Sequence, residues 1–368
     1  MINFEDRLSK LKDRRQGTAE RYLVEKQLKT WGDARPAEDH ERIKESAAIK
    51  YVIGSMAAVS QESTDISIAE GKRVASNLIS RLQTAGISTE MRLQGSVALN
   101  IHIEGHSDVD MLVLKADTMT VETPAIYPAN YTFTAGGRPM VDALKELRDE
   151  SELRLSSAFY AANVDISKGK CISLSGGSLQ RKVDIVPACW HDTIDYQREG
   201  QEHFRAVKVY DNKEHLLHEN KPFLHIRRIN DRDAWYSGNL KKVIRLMKNI
   251  IADMPEYKKT KVKKLSSYDI AGIAYAMDKK LACSVLFPLT LLDNLRSFLV
   301  FLVTIKETRE LLYVPDGTRK VIDSPEKEEA LEILYTEVSS LAEAVQSVID
   351  PFKFNYDGSV LTNKPVVV

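Results

Sequence analysis

The stretch "LQGSVALNIHIEGHSDVDMLVL", residues 93 to 114, decides the fold. It opens with the pair Gly95-Ser96 and then carries Asp108-Val109-Asp110 into the apolar run "MLVL". Residues i and i+2 of a strand share a face, so Asp108 and Asp110 are expected to project the same way, a few ångströms apart. Two carboxylates that close in a buried strand repel, and their burial is costly unless a cation sits between them. Hard oxygen donors of this kind favour Mg²⁺, which keeps waters and draws further oxygens from phosphates. The Gly-Ser turn upstream offers backbone N–H groups and a hydroxyl to a phosphate.

A third carboxylate would help to hold a second metal, and two metals can clamp the attacking and leaving oxygens of a phosphoryl displacement. Asp165 in "NVDIS" and Asp184 in "RKVDIVPA" both qualify. Asp184 is preferred. It lies in the more hydrophobic strand, follows a Gly-Gly-Ser turn, and could run beside the Asp108–Asp110 strand. Asp165 is followed by "SKGK", which reads as an exposed strand end.

Around this centre the chain reads as a mixed α/β half followed by a helical half. Residues 1 to about 60 are charged and helix-favouring. "SIAEGKRVASNLISRLQTAG" is an amphipathic helix with Ile68, Val74, Leu78, Ile79 and Leu82 on one stripe. "ISTEMRLQGS" and "SDVDMLVLKA" read as strands, "PMVDALKELRDESEL" as a helix, and "SSAFYAANVDI", "GKCISLSG" and "RKVDIVPACW" as three short strands. "HLLHENKPFLHIRRIN" reads as a mixed connector. Four helices are predicted beyond it, from "NLKKVIRLMKNIIADM", "LSSYDIAGIAYAMDKK", "VLFPLTLLDNLRSFLVFLVTIKETREL" and "SPEKEEALEILYTEVSSLAEAVQSVID". Ser324 is the expected N-cap of the last, with Pro325 at its first position and Leu331, Leu334, Val338, Leu341, Val345 and Val348 as its buried stripe.

Bulk composition narrows the function. Lys plus Arg and Asp plus Glu number 52 each, so the net charge is zero. A protein living on duplex nucleic acid usually carries a basic excess, so no long nucleic acid is expected as partner. Cys171, Cys189 and Cys283 lack metal-ligand spacing and read as reduced thiols. The charged start "MINFEDRLSKLKDRR" has no apolar leader, and the run "FLVFLVTI" is too short to span a bilayer, so a cytoplasmic protein with no membrane contact is expected.

Gly95-Ser96, Asp108-x-Asp110 and a later strand bearing Asp184 before Val-Pro resemble the polymerase-β-type nucleotidyltransferase core. The 74-residue gap from Asp110 to Asp184 (184 − 110), the helical lead and the helical second half narrow the resemblance to the cGAS/DncV-like nucleotidyltransferases (CD-NTases). In that family Lys248 of "RLMKN" matches a lysine that reaches the triphosphate. "KLSSYDIA" matches a Ser-Ser-Tyr helix start, where Ser267, with Ser266 beside it, contacts phosphate and Tyr268 stacks on a base. Ile101 stands where the family often has Thr.

The resemblance implies a bilobal fold, a mixed-sheet lobe plus a helical lobe with the active site in the cleft between. Its expected bounds are 1–200 for the core lobe, 201–352 for the helical lobe and 353–368 for a tail, a possible handle for a protein regulator. It implies Asp108, Asp110 and Asp184 as catalytic ligands of two Mg²⁺ ions, a role Mn²⁺ can fill. Gly95, Ser96, Lys248, Ser266, Ser267 and Tyr268 are the implied nucleotide contacts. The implied reaction joins nucleoside triphosphates into a cyclic di- or oligonucleotide messenger, releasing pyrophosphate, for an effector in bacterial anti-phage signalling. Rival readings are a nucleotidyltransferase acting on an RNA 3′ end, a small molecule or a protein, and an inactive nucleotide-binding module. The pairs His102/His106 and His215/His218 are spaced like metal ligands but sit in loops and connectors, and neither is taken as a site. Arg227 and Arg228 read as phosphate contacts or, as readily, as surface ion pairs.

Overall fold

The computed structural model describes residues 3–15, 38–105, 107–132 and 137–367. The chain forms two compact units, each assembled from separated segments. One comprises Met1–Val59, Ile101–His106 and Ile229–Val368; the other comprises Ser60–Asn100 and Ser107–Arg228.

The second unit is built on a seven-stranded sheet: β1 (Thr89–Gln94), β2 (Val109–Val121), β3 (Asn163–Asp165), β4 (Ile172–Ser175), β5 (Val183–Asp192), β6 (Ala206–Asp211) and β7 (Leu216–Asn220). Its order is β1-β2-β5-β4-β3, with β6 pairing β5 and β7 pairing β6. Only β2 and β5 run parallel; the other pairs are antiparallel. Being central, β5 is buried along its whole length, which its continuous apolar sequence anticipates. Pro187 is tolerated there because the ladder to β4 ends at Ile185 and the ladder to β6 begins at Ala188. The turn feeding β5 uses Gly176 (φ 71°) and Gly177 (φ 61°), a left-handed pair that other residues rarely adopt.

One face of the sheet packs on the helices Gln61–Thr84 and Met140–Ala158. Val74, Leu78 and Leu82 of the first and Leu144, Leu147 and Leu155 of the second meet Val109, Met111, Val183 and Ile185. Each such side chain contributes about 1.5–3 kcal/mol on burial. The other face carries a smaller cluster of Leu112, Leu114, Val186, Ala188, Trp190, Val207 and Val209.

The sequence expectations hold for most elements, with physical reasons for the exceptions. The helix expected from residue 66 begins at Gln61, because the Ser60 hydroxyl caps it by accepting from Ser63 N. "SSAFYAANVDI" is not one strand: its first three residues end the helix Met140–Ala158, and β3 is only Asn163–Asp165. β6 was not anticipated, and "HLLHENKPFLHIRRIN" holds β7 and the start of the helix Pro222–Trp235 rather than a connector. The helix expected from Val285 begins at Thr290, after Pro288, and breaks before Lys306.

The first unit is helical in its described residues. The helix Pro325–Ile349 starts at the Ser324 cap and buries Leu331, Leu334, Val338, Leu341 and Val345 as expected. Val348, expected on the same stripe, is exposed in the last turn. Beside this stripe Glu337 is buried against Arg7 (2.5 Å) and Lys258 (2.7 Å). The stretch that reads as a partner handle is tied to this unit: Leu361 and Val366 are buried, Val366 N donates to Leu286 O, and Lys364 pairs with Glu45. Among the described residues no helix is long and apolar enough to cross a membrane.

Candidate active site

The strand register sets the geometry of the acidic residues. Paired positions run Gln94, Asp110, Asp184, Ser173, Asp165 across β1, β2, β5, β4 and β3. Residues paired across a ladder share a face, and adjacent strands lie about 4.8 Å apart. Asp110 and Asp184 are therefore side by side, opposite the face that packs on the helices. Asp108 lies one residue ahead of the first residue of β2. Asp165, the rejected third carboxylate, shares the row but is two strands beyond Asp184, with Ser173 between them. Its carboxylate accepts from Ser167 N.

The backbone at Gly95 makes room for Asp110. Gly95 has φ 76°, and a Cβ there would overlap the Asp110 carboxylate. Ser96 follows in the short helix Gly95–Ala98, where a simple turn was expected. Next to Asp110 in the row, the buried Gln94 Oε1 has no hydrogen-bond partner among the described residues.

Asp184 is buried and closely held. Ser173 Oγ donates to its Oδ1 at 2.5 Å, and Cys171 Sγ and Lys168 Nζ reach its Oδ2 at 3.3 Å. Burial and the adjacent carboxylate push the Cys171 thiol up to about 11, so it stays protonated and serves as a donor. Burial pulls the Lys168 ammonium down, but the Asp184 and Asp108 carboxylates outweigh that and hold it above its ordinary value. Lys182 Nζ sits on Asp108 Oδ2 at 2.5 Å. The residues of this row and Asp108 offer hard oxygens, the carboxylates of Asp108, Asp110 and Asp184. That chemistry fits Mg²⁺ or Mn²⁺ and suits neither a soft metal nor a redox centre. Among the described residues the group whose ligand atoms already lie within 4.8 Å of one another is a different one, Asp211, Glu214 and His218.

The remaining predicted contacts lie in the helical unit. Lys248 is half-buried and donates to Ile101 O at 3.0 Å, so the backbone serves here whatever side chain residue 101 carries. Ser266 caps the helix Ser267–Ala276: its hydroxyl accepts from Asp269 N and donates to Asp269 Oδ2. Arg319 also donates to Ser266 Oγ, and Arg319 and Lys327 pair with the buried Asp269. Ser267, at the first helical position, is exposed, and Tyr268 is half-buried. Much of the basic run from Lys241 to Lys264 is structural. Lys241 pairs with Asp233, Lys258 with Glu337 and Lys261 with Glu329, and Arg245 donates to Met56 O.

Sequence reasoning missed Gln94, Lys168, Cys171, Ser173 and Lys182. The signal was present only in the register, since Ser173 and Gln94 become neighbours of the acids once the strand pairing is known. Of the histidine pairs, His215 meets Tyr210 and His218 meets Glu214, while His106 lies outside the described residues.

No protein-family model matches the chain. It is 36% identical over 309 residues to a cyclic dinucleotide synthase CdnE from Yersinia aleksiciae, covering 84% of this chain and 77% of that protein. It is 31% identical over 262 residues to a c-di-GMP synthase from a Lachnospiraceae bacterium, covering 66% of this chain and 72% of the relative. Among solved structures, a STING-associated CdnE c-di-GMP synthase from Capnocytophaga granulosa superposes with a TM-score of 0.70 at 29% identity, covering 94% of this chain and 99% of the other.

Proposed function

This chain belongs to the cGAS/DncV-like nucleotidyltransferases and is a cyclic dinucleotide synthase; from that premise we propose that it turns GTP into cyclic di-GMP, with release of pyrophosphate. Support for guanine comes from the c-di-GMP synthases among its relatives. The Capnocytophaga protein is STING-associated, and we extend that association to this chain: its product is read by a STING-type effector in defence against phage.

The observation that carries the reading is the pairing of Asp110 with Asp184, with Asp108 just ahead of the same strand. Asp108, Asp110 and Asp184 would hold the divalent cations. Cations held there would neutralise phosphate charge and lower the pKa of the acceptor ribose hydroxyl. Ser173 keeps the Asp184 carboxylate oriented, and Gly95 lets the backbone before Ser96 lie against Asp110. Ser96, Lys248 and Ser267 take the donor's triphosphate, and Tyr268 stacks on a base. The acceptor hydroxyl loses its proton to solvent and attacks the α-phosphorus, the bond between the α- and β-phosphates breaks as pyrophosphate leaves, and a second round closes the ring.

The test is an acceptor-free incubation of the protein with Mg²⁺ and ATP, GTP, CTP and UTP, singly and mixed, read by mass spectrometry. Cyclic di-GMP from GTP alone, lost in D110N, is expected. A product that requires a second base would overturn the guanine assignment. No product until an RNA, small molecule or protein is added would overturn the synthase reading.

A further inference from the structure

Two cations of the chain itself sit on the acidic residues. Lys182 Nζ is 2.5 Å from Asp108 Oδ2, and Lys168 Nζ is 3.3 Å from Asp184 Oδ2. Both lysines therefore occupy carboxylate oxygens that the function proposed above needs for its metal. We infer that Lys168 and Lys182 are resident counter-ions that neutralise these carboxylates and are exchanged for the divalent cation when it binds. This rests on the nucleotidyltransferase reading and goes beyond it.

Exposure separates these pairs from the closed Arg7–Glu337 pair of the same chain. The Arg7–Glu337 pair is closed off, with side-chain exposures of 5% and 4%, so breaking it would strand a buried charge. Lys168 and Lys182 are 38% and 39% exposed. Each can swing its ammonium into water on its flexible stem while the carboxylate stays in place. The carboxylates do not share that freedom: Ser173 pins Asp184, and β2 fixes the backbone beside Asp108. The site is thus a rigid acidic frame with movable monovalent caps. A divalent cation that meets several of these oxygens at once outcompetes single ammonium groups, and the displaced lysines remain beside the site as cations. Lys170, one residue past Gly169 in the same loop, adds its positive charge near Asp211, a residue outside the acidic row, and provides the control for charge alone.

The experiment measures Mn²⁺ binding by electron paramagnetic resonance on the full chain without nucleotide, for wild type, K168Q, K182Q and K170Q. Thermal melting is followed in parallel in EDTA and in saturating Mg²⁺. Exchange predicts that K168Q and K182Q bind Mn²⁺ about two- to fivefold more tightly than wild type, the scale of a half-exposed ion pair. K170Q should match wild type. It also predicts that K168Q and K182Q melt below wild type in EDTA and rejoin it in Mg²⁺. Equal or weaker Mn²⁺ binding by both lysine variants overturns the inference, and so does an equal gain in K170Q, which would mark a general charge effect. A melting deficit that persists in saturating Mg²⁺ also overturns it, marking a merely structural role. If wild type binds Mn²⁺ and the lysine variants bind it identically, only this inference fails; if wild type binds none, the metal-site reading fails with it.

Discussion

At the scale of single residues, the site depends on what is absent at position 95 and what is donated at position 173. Gly95 has no Cβ because the Asp110 carboxylate lies where one would go, and its φ of 76° disfavours any other residue. Gly95→Ala should lower stability by about 1–2 kcal/mol from backbone strain alone and displace Asp110, so cyclic dinucleotide synthesis falls sharply. Differential scanning calorimetry beside a turnover assay would check both effects. Full activity in Gly95→Ala would show that Asp110 does not need its present position. Among the described residues, the Ser173 hydroxyl hydrogen-bonds the Asp184 carboxylate and lies 3.9 Å from Cys171 Sγ. Ser173→Ala should cost about ten- to a hundredfold in kcat, the usual effect of losing a group that orients a metal ligand, while the melting temperature changes little. That Asp184 rather than Asp165 would lie on the strand beside Asp110 was legible in the sequence because the more apolar strand had to be the central one. Lys168 and Lys182 were not legible, since nothing in a linear sequence distinguishes a lysine facing a carboxylate from one facing water.

At the scale of elements, the helical unit is joined by buried charges more than its amphipathic stripes suggest. Glu337 of the helix Pro325–Ile349 meets Arg7 of the helix Phe4–Arg15 and Lys258 of the helix Glu256–Val262. Replacing it by Leu leaves Arg7 buried without its partner and should cost about 3 kcal/mol near neutral pH, measured by urea unfolding. Burial pushes the Glu337 carboxyl up, and hydrogen bonds from Lys258 and Arg7 more than offset that, so it titrates below its ordinary 4.5. A depressed carboxyl pKa contributes stability that is fully present above the unfolded value and lost as pH falls through the folded one. The wild-type advantage over Glu337→Leu should therefore shrink on acidification below about pH 4.5; an advantage that stays constant to about pH 3 would contradict it. Long periodic helices and the Ser324 and Ser266 caps were legible in the sequence because both signals are local. β6 and β7 were not: "AVKVYD" is buried at five of its six positions and shows no clean alternation, and "LLHEN" pairs only with β6. The break before Lys306 was hidden because the residues on both sides favour helix.

At the scale of the whole molecule, charge sets the partner. The chain carries 52 basic and 52 acidic side chains, and Lys241, Lys258 and Lys261 of its most basic run are held in ion pairs. With no net positive charge, the chain has no overall basic excess to displace counterions from a duplex. Adding long double-stranded DNA should leave the rate of cyclic dinucleotide synthesis within about twofold, and a strong, salt-sensitive stimulation would contradict that expectation. The family was legible from Gly95-Ser96, Asp108-x-Asp110 and Asp184 because nucleotidyl transfer needs those residue types on adjacent strands. The product was not, since a base is read by pocket shape, and shape is absent from a motif. The most direct measurement is a crystal structure with Mn²⁺ and a non-hydrolysable GTP analogue, with anomalous maps locating the ions. The account predicts Mn²⁺ bonded to oxygens of Asp108, Asp110 and Asp184 and to the analogue's phosphates. Ions bound elsewhere, with Asp184 left to Ser173, Cys171 and Lys168 alone, would contradict it.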